Sequence, residues 1–157
     1  SSGSTSAAPL AWQSIPEHLH AIYALSLSQW GRHVAAGRAN QIDMYDLARG
    51  EYLGRLTDPN LANLIVNDKP LYPRGAADQD FVHALAFHPS GNLLASGGYR
   101  SVKLWQRGQN VQRKSIPLDQ PGTATTLSPN GQLIAVALAD HSIRLIQVAD
   151  GQTVKTF

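Results

Sequence analysis

The stretch VHALAFHPSGNLLASGGYRSVKLWQ, residues 82–106, reads as three short strands joined by two turns. Ala84 to Phe87 is an apolar run, His88-Pro89-Ser90-Gly91 is a turn, and Leu93 to Ser96 is a second run. Glycine suits the positive φ that such hairpins often need, and proline near the turn start presets its dihedral. Gly97-Gly98 then breaks the chain before Val102 to Trp105, which alternates as a strand but carries apolar groups on both faces. Such two-sided burial fits a sheet stacked between two neighbours.

The same order of residues occurs twice more. With Gly31, Gly91 and Gly131 in register, Leu27, Phe87 and Leu127 lie four residues before, and Val34, Leu94 and Ile134 three residues after. An alanine follows each time: Ala35, Ala95, Ala135. Downstream, Ile42-Asp43-Met44-Tyr45, Val102-Lys103-Leu104-Trp105 and Ile143-Arg144-Leu145-Ile146 share the order aliphatic, charged, apolar, bulky. A fourth, weaker strand is predicted over Tyr52 to Leu56 and again over Thr153 to Phe157, with a shorter, more polar one between Trp105 and Ile116. Four short strands per unit, with 40 residues between Gly91 and Gly131, is the pattern of β-propeller blades.

Residues 82–106 resemble a WD40 repeat from its first strand through the tryptophan that names the family, and three copies cover residues 17–157. The resemblance implies an all-β fold of three four-stranded antiparallel WD40-type blades, part of a larger or oligomeric propeller. The expected divisions are an N-terminal extension over 1–16, blade one over 17–56, an insertion loop over 57–80, blade two over 81–118 and blade three over 119–157. It also implies a Trp, Ser, His, Asp hydrogen-bond tetrad, and here the chain departs from the family. The His position falls on His18 in the first copy and on Asp78 in the second. The turn Asp occurs only as Asp140, where the Trp position is Ile146. The blades are therefore expected to rely on packing more than on that network. Residues 45–61 and 75–91 further resemble bacterial WD40 proteins joined to c-type cytochrome domains, which would place the chain outside the cytoplasm.

Three blades leave two open faces. If each exposed ~500 Å² of apolar surface, the forfeited burial would be about 12 kcal/mol per face, as much as a whole domain's stability. The expected partner is protein: further blades, from the same polypeptide or from a second copy. Trp12 precedes the first blade, and Leu10 to Ile15 is a candidate closing strand. Residues 1–9 have no Met and no basic segment, and read as a tag remnant, a processed end or a cut within a longer chain.

The interval from Gly31 to Gly91 is 60 residues, and the excess over one repeat lies in Thr57 to Asp80. This insertion carries Leu61, Leu64, Ile65, Val66, Leu71, Tyr72 and Arg74 among three prolines, which is too apolar for a solvated linker. By the family resemblance it lies on the face where partners dock. It is expected either to fold down as a packed lid or to contact a partner, with Leu61, Leu64, Ile65, Leu71, Tyr72 and Arg74 as the contacts. His18, Gly31, Gly91, Trp105, Gly131 and Asp140 are expected to be structural blade positions.

Composition narrows the chemistry. Charged residues make up 15% of the 157, the net charge is +2, and the basic residues are scattered. Nucleic-acid binding normally needs a clustered basic stripe, so none is expected. The absence of cysteine removes disulfides, thiol nucleophiles and covalent haem attachment from these residues. No apolar run reaches the ~18 residues of a membrane span. His18 and His20 could share a strand face, but a third metal ligand at useful spacing is missing. No nucleophile elbow, phosphate loop or carboxylate pair stands out, so no catalytic, cofactor or metal residue is assigned. The function expected is a non-enzymatic protein-interaction scaffold; the alternative is an accessory propeller of an extracytoplasmic c-type cytochrome redox protein.

Overall fold

The computed structural model describes residues 20–72, 74–106 and 112–157. Three four-stranded antiparallel meanders follow one another along the chain. Blade one comprises β1 (Ile22–Leu27), β2 (His33–Arg38), β3 (Gln41–Asp46) and β4 (Glu51–Leu56). A short helix α1 (Pro59–Ala62) and a two-residue hairpin, β5 (Ile65–Val66) with β6 (Lys69–Pro70), fill the insertion. Blade two comprises β7 (Ala84–Phe87), β8 (Leu93–Gly97), β9 (Ser101–Gln106) and β10 (Gln112–Pro117). Blade three comprises β11 (Gly122–Leu127), β12 (Leu133–Leu138), β13 (Ile143–Gln147) and β14 (Thr153–Thr156). The candidate closing strand, Leu10 to Ile15, and His18 lie outside the described residues.

The repeat seen in the sequence is a repeat of backbone geometry. Gly31, Gly91 and Gly131 all sit at positive φ, between +61° and +71°. Each donates its N–H to the carbonyl three residues back: Ser28, His88 and Ser128. The fourth strand of every blade also bulges at the same place, where Met44 pairs with Gly54 but Tyr45 with Tyr52, and likewise at β9–β10 and β13–β14. The matching order of side chains thus specifies matching registers.

The core lies between blades, not within them. Ala35, Ile42 and Leu56 of blade one meet Leu85, Leu94 and Trp105 of blade two. On blade two's other side, Ala95, Val102, Leu104 and Ile116 meet Ile134, Val136 and Ile146 of blade three. A blade buries its apolar rows only through a neighbour, as expected of stacked repeats. Consequently the outer faces stay uncovered: Leu25 and Leu27 are 63% and 61% exposed on blade one, and Ile143, Val154 and Phe157 are 46%, 57% and 62% exposed on blade three.

The three glycines are not equivalent in their surroundings. A Cβ on Gly91 would meet nothing within 4 Å, whereas one on Gly131 would run into the His88 imidazole of blade two. Gly91→Ala should therefore cost about 1 kcal/mol for its backbone alone. Gly131→Ala should lose about 1–2 kcal/mol more through the collision. Urea unfolding of both variants measures the difference; equal losses would contradict the packing of His88 on blade three.

Candidate interaction surface

The insertion begins with a capped turn. Asp58 stands at the N-cap of α1, its carboxylate accepting from the Asn60 N–H at 2.9 Å, and Pro59 follows where a missing N–H costs nothing. The chain then reverses through Asn67 and Asp68, both at positive φ, which matches the twist of the β5–β6 hairpin. The Leu71 N–H donates to the Leu64 carbonyl at 2.9 Å and closes the hairpin's base. Ile65-Val66, Asn67-Asp68 and Lys69-Pro70 carry a hairpin signature that the apolar composition concealed.

Both ends of the insertion are held by one side chain. Lys103, on β9 and buried, donates from Nζ to Asp58 Oδ2 at 2.8 Å and to the Ala77 carbonyl at 2.7 Å. The same ammonium lies 3.6 Å from Asp78 Oδ2. Asp78 is buried too and accepts from the backbone N–H groups of Gln79 and Tyr99 at 2.7 and 3.0 Å. A Cβ on Gly98 would stand 2.5 Å from the Asp78 carboxyl carbon, so only glycine leaves room for it. The Asp58 N–H donates to the Ala76 carbonyl, drawing the two ends together.

Burial raises the pKa of Asp78, and Lys103 and the amides oppose this only in part. The folded state therefore holds this proton more tightly than the unfolded chain does. Between the ordinary value of 3.8 and the raised folded value, this group's contribution to stability falls as pH rises. Asp78→Asn removes that dependence. The stability of Asp78→Asn minus that of the parent should grow with pH across that window in urea titrations. A difference independent of pH would contradict it.

The polar network expected of the family is present in part and displaced in part. Trp105 Nε1 donates to Ser96 Oγ at 2.8 Å, both buried. Asp78, in the His register, accepts from backbone amides through Oδ1 and faces the Lys103 ammonium with Oδ2 as an ion pair at 3.6 Å instead. Beside the apolar packing between blades, the charged third-strand position carries polar contacts of its own. Asp43, Lys103 and Arg144 pair across to Ala36, Ser96 and Val136 at the same register in the three blades. Asp43 accepts from Arg55 Nε at 2.8 Å and Tyr52 OH at 3.2 Å, with Arg38 at 3.4 Å. Arg144 donates to Asp119 at 2.6 Å. Asp140 makes only a local turn, accepting from the Ser142 hydroxyl and N–H, and these bonds lower its pKa.

On this stapled base the apolar side chains divide. Leu61 is buried, so it packs and does not present itself to a partner; Tyr72 is half-buried. Leu64, Ile65, Val66 and Leu71 are exposed, Ile65 at 66%, and Arg74 is exposed as well. The insertion is thus a lid at its base and an apolar projection at its hairpin. Trp30 is 91% exposed at φ +69° in the β1–β2 turn. Among the described residues no group of three His, Cys, Asp or Glu could hold a metal ion, and no helix is long and apolar enough to cross a membrane.

Residues 71–106 match the family model "WD domain, G-beta repeat". A WD repeat-containing protein of Synechocystis is 28% identical over 70% of this chain and 39% of its own length. The chain therefore spans about two fifths of that relative. Among solved structures, Kuenenia stuttgartiensis hydrazine synthase superposes with a TM-score of 0.70 at 15% identity, over 92% of this chain and 37% of that one. The RRP9 WD40 repeats give a TM-score of 0.72 at 16% identity, over 91% and 40%. At these identities the structures establish the fold alone. The chain is a run of three four-stranded β-propeller-type blades, and residues 71–106, which include most of the middle blade, match the WD repeat model.

Proposed function

We propose that these blades form a non-catalytic protein-interaction scaffold, with the β5–β6 hairpin as the partner-contacting element. The observation that supports this reading is four exposed apolar side chains, Leu64, Ile65, Val66 and Leu71, on a hairpin whose base is fixed by a buried ion cluster. Exposed apolar groups held on a rigid base suit recognition, because little ordering entropy is lost on contact. Arg74, three residues past Leu71, is exposed and adds a charge to the insertion. The open faces of blades one and three are proposed to be covered by further blades, in the same protein or from a second copy.

A photo-crosslinking residue at Ile65 tests the reading in the source cell. A discrete adduct at Ile65, absent when the same residue is placed at exposed His141, is the expected result. Equal labelling at both positions, or none, would refute the hairpin as the contact. The cytochrome-linked alternative draws no support from the hydrazine synthase likeness, which is one of fold.

A further inference from the structure

The ion cluster at the base of the insertion leaves one polar atom unmatched. An ammonium carries three N–H groups. Lys103 uses one on Asp58 Oδ2 at 2.8 Å and one on the Ala77 carbonyl at 2.7 Å. Asp78 Oδ2 lies 3.6 Å from Nζ, too far to accept the third. That oxygen is buried and accepts no hydrogen bond, although Oδ1 of the same carboxylate accepts from Gln79 and Tyr99. A buried carboxylate oxygen without a donor costs free energy, so it calls for a partner.

The cluster is the floor of a groove. A hollow of about 440 Å³ opens between α1, the β8–β9 turn and β10. Asp58, Asp78 and Lys103 line it with side chains no more than 6% exposed. Higher up, Asn60 and Gln79 bring amides, Ser101 and Ser115 bring hydroxyls, and Tyr99 stands 45% exposed. Arg100, whose guanidinium donates to the Asp119 carbonyl, is the fourth charged residue of the lining. Two acids and two bases leave the groove without net charge, which disfavours an ion as its occupant.

The floor is satisfied by one atom that donates to Asp78 Oδ2 and accepts from Lys103 Nζ. Because these two are 3.6 Å apart, an oxygen at hydrogen-bond distance from both fits. An amide N–H only donates and a carbonyl only accepts, whereas a hydroxyl does both. The walls suit further hydroxyls, with amides and serines to exchange hydrogen bonds and a tyrosine ring offering an apolar face. We propose that this groove binds a neutral polyhydroxylated ligand of monosaccharide size, one hydroxyl bridging Lys103 and Asp78. The site rests on the base of the insertion and does not depend on a partner at the β5–β6 hairpin.

The test titrates the ¹⁵N-labelled 157-residue chain at neutral pH with glucose, galactose, mannose and myo-inositol in turn. The backbone amides of Gln79 and Tyr99 are followed, since both donate to the Asp78 carboxylate. Saturable shifts of both are expected with at least one of these ligands, with a Kd of about a few millimolar. Dioxane, a ring whose oxygens only accept, should move neither. Asp78→Asn, which puts an amide where the carboxylate accepts, should weaken binding about tenfold or more. Ser115→Trp, from an exposed strand position, closes the groove and is the second variant if the first does not fold. Shifts that do not saturate with any of the four, an equal response to dioxane, or unchanged binding in the folded variant would overturn the proposal.

Discussion

Lys103→Met is expected to destabilise the fold by about 3–5 kcal/mol, because it strips the counter-charge from two buried carboxylates. The side chains of Lys103, Asp58 and Asp78 are 6%, 5% and 2% exposed, so water does little to compensate. Methionine keeps most of the aliphatic volume, which isolates the charge from the packing. Asp58 would keep its bond from Asn60, and Asp78 its bonds from Gln79 and Tyr99, but neither would keep a cation. Adding Asp58→Asn to Lys103→Met should restore part of the loss by removing one unpaired charge. Chemical denaturation of the parent and both variants measures these losses. A loss below about 1 kcal/mol for Lys103→Met would mean that the cluster behaves as a surface ion pair and does not staple the insertion.

Trp105→Ala should be comparably severe, at about 3–5 kcal/mol, on different grounds. Trp105 is buried, is packed against Leu94 and blade one, and bonds to Ser96. The substitution leaves a large void at the first interface and a buried hydroxyl without its donor. Trp105→Phe separates the two effects: the ring volume largely remains while Ser96 Oγ goes unbonded, at about 1–3 kcal/mol. Trp30→Ala, at a side chain 91% exposed, should fall within about 0.5 kcal/mol. Thermal melts of the three variants check the order. Equal effects at Trp30 and Trp105 would contradict the placement of the core between the blades.

These cases show how far the sequence could be read. Turn glycines and third-strand runs are local signals, and Gly31, Gly91, Gly131 and the run ending at Trp105 announce strand, turn and register within a few residues. The inter-blade packing of Ala35, Ala95 and Ala135 follows from the same alignment. The Lys103 cluster was not legible, because its partners lie 45 and 25 residues away and a charge within a strand reads as solvent-facing. Only the stacking of the insertion's two ends on β9 encloses it. The insertion's apolar composition was likewise ambiguous between lid and contact surface. Composition does not record direction: Leu61 turns inward from a capped helix, whereas Ile65 turns outward from a strand two residues long.

The open faces connect fold to function most directly. The rows on blade one's outer face, Leu25 with Ala36 and Leu27 with Val34, occupy the registers that Leu85 with Ser96 and Phe87 with Leu94 occupy in blade two. In blade two those rows are packed against a neighbour; in blade one Leu25 and Leu27 are more than half exposed. A surface that repeats an internal interface calls for a neighbour of the same kind, joined head to tail. The mass of the 157-residue chain in solution, measured by light scattering over a concentration series, tests this directly. Masses above 16.9 kDa are expected, falling toward that value in Leu25→Asp/Leu27→Asp. A folded parent chain of 16.9 kDa at every concentration would contradict it.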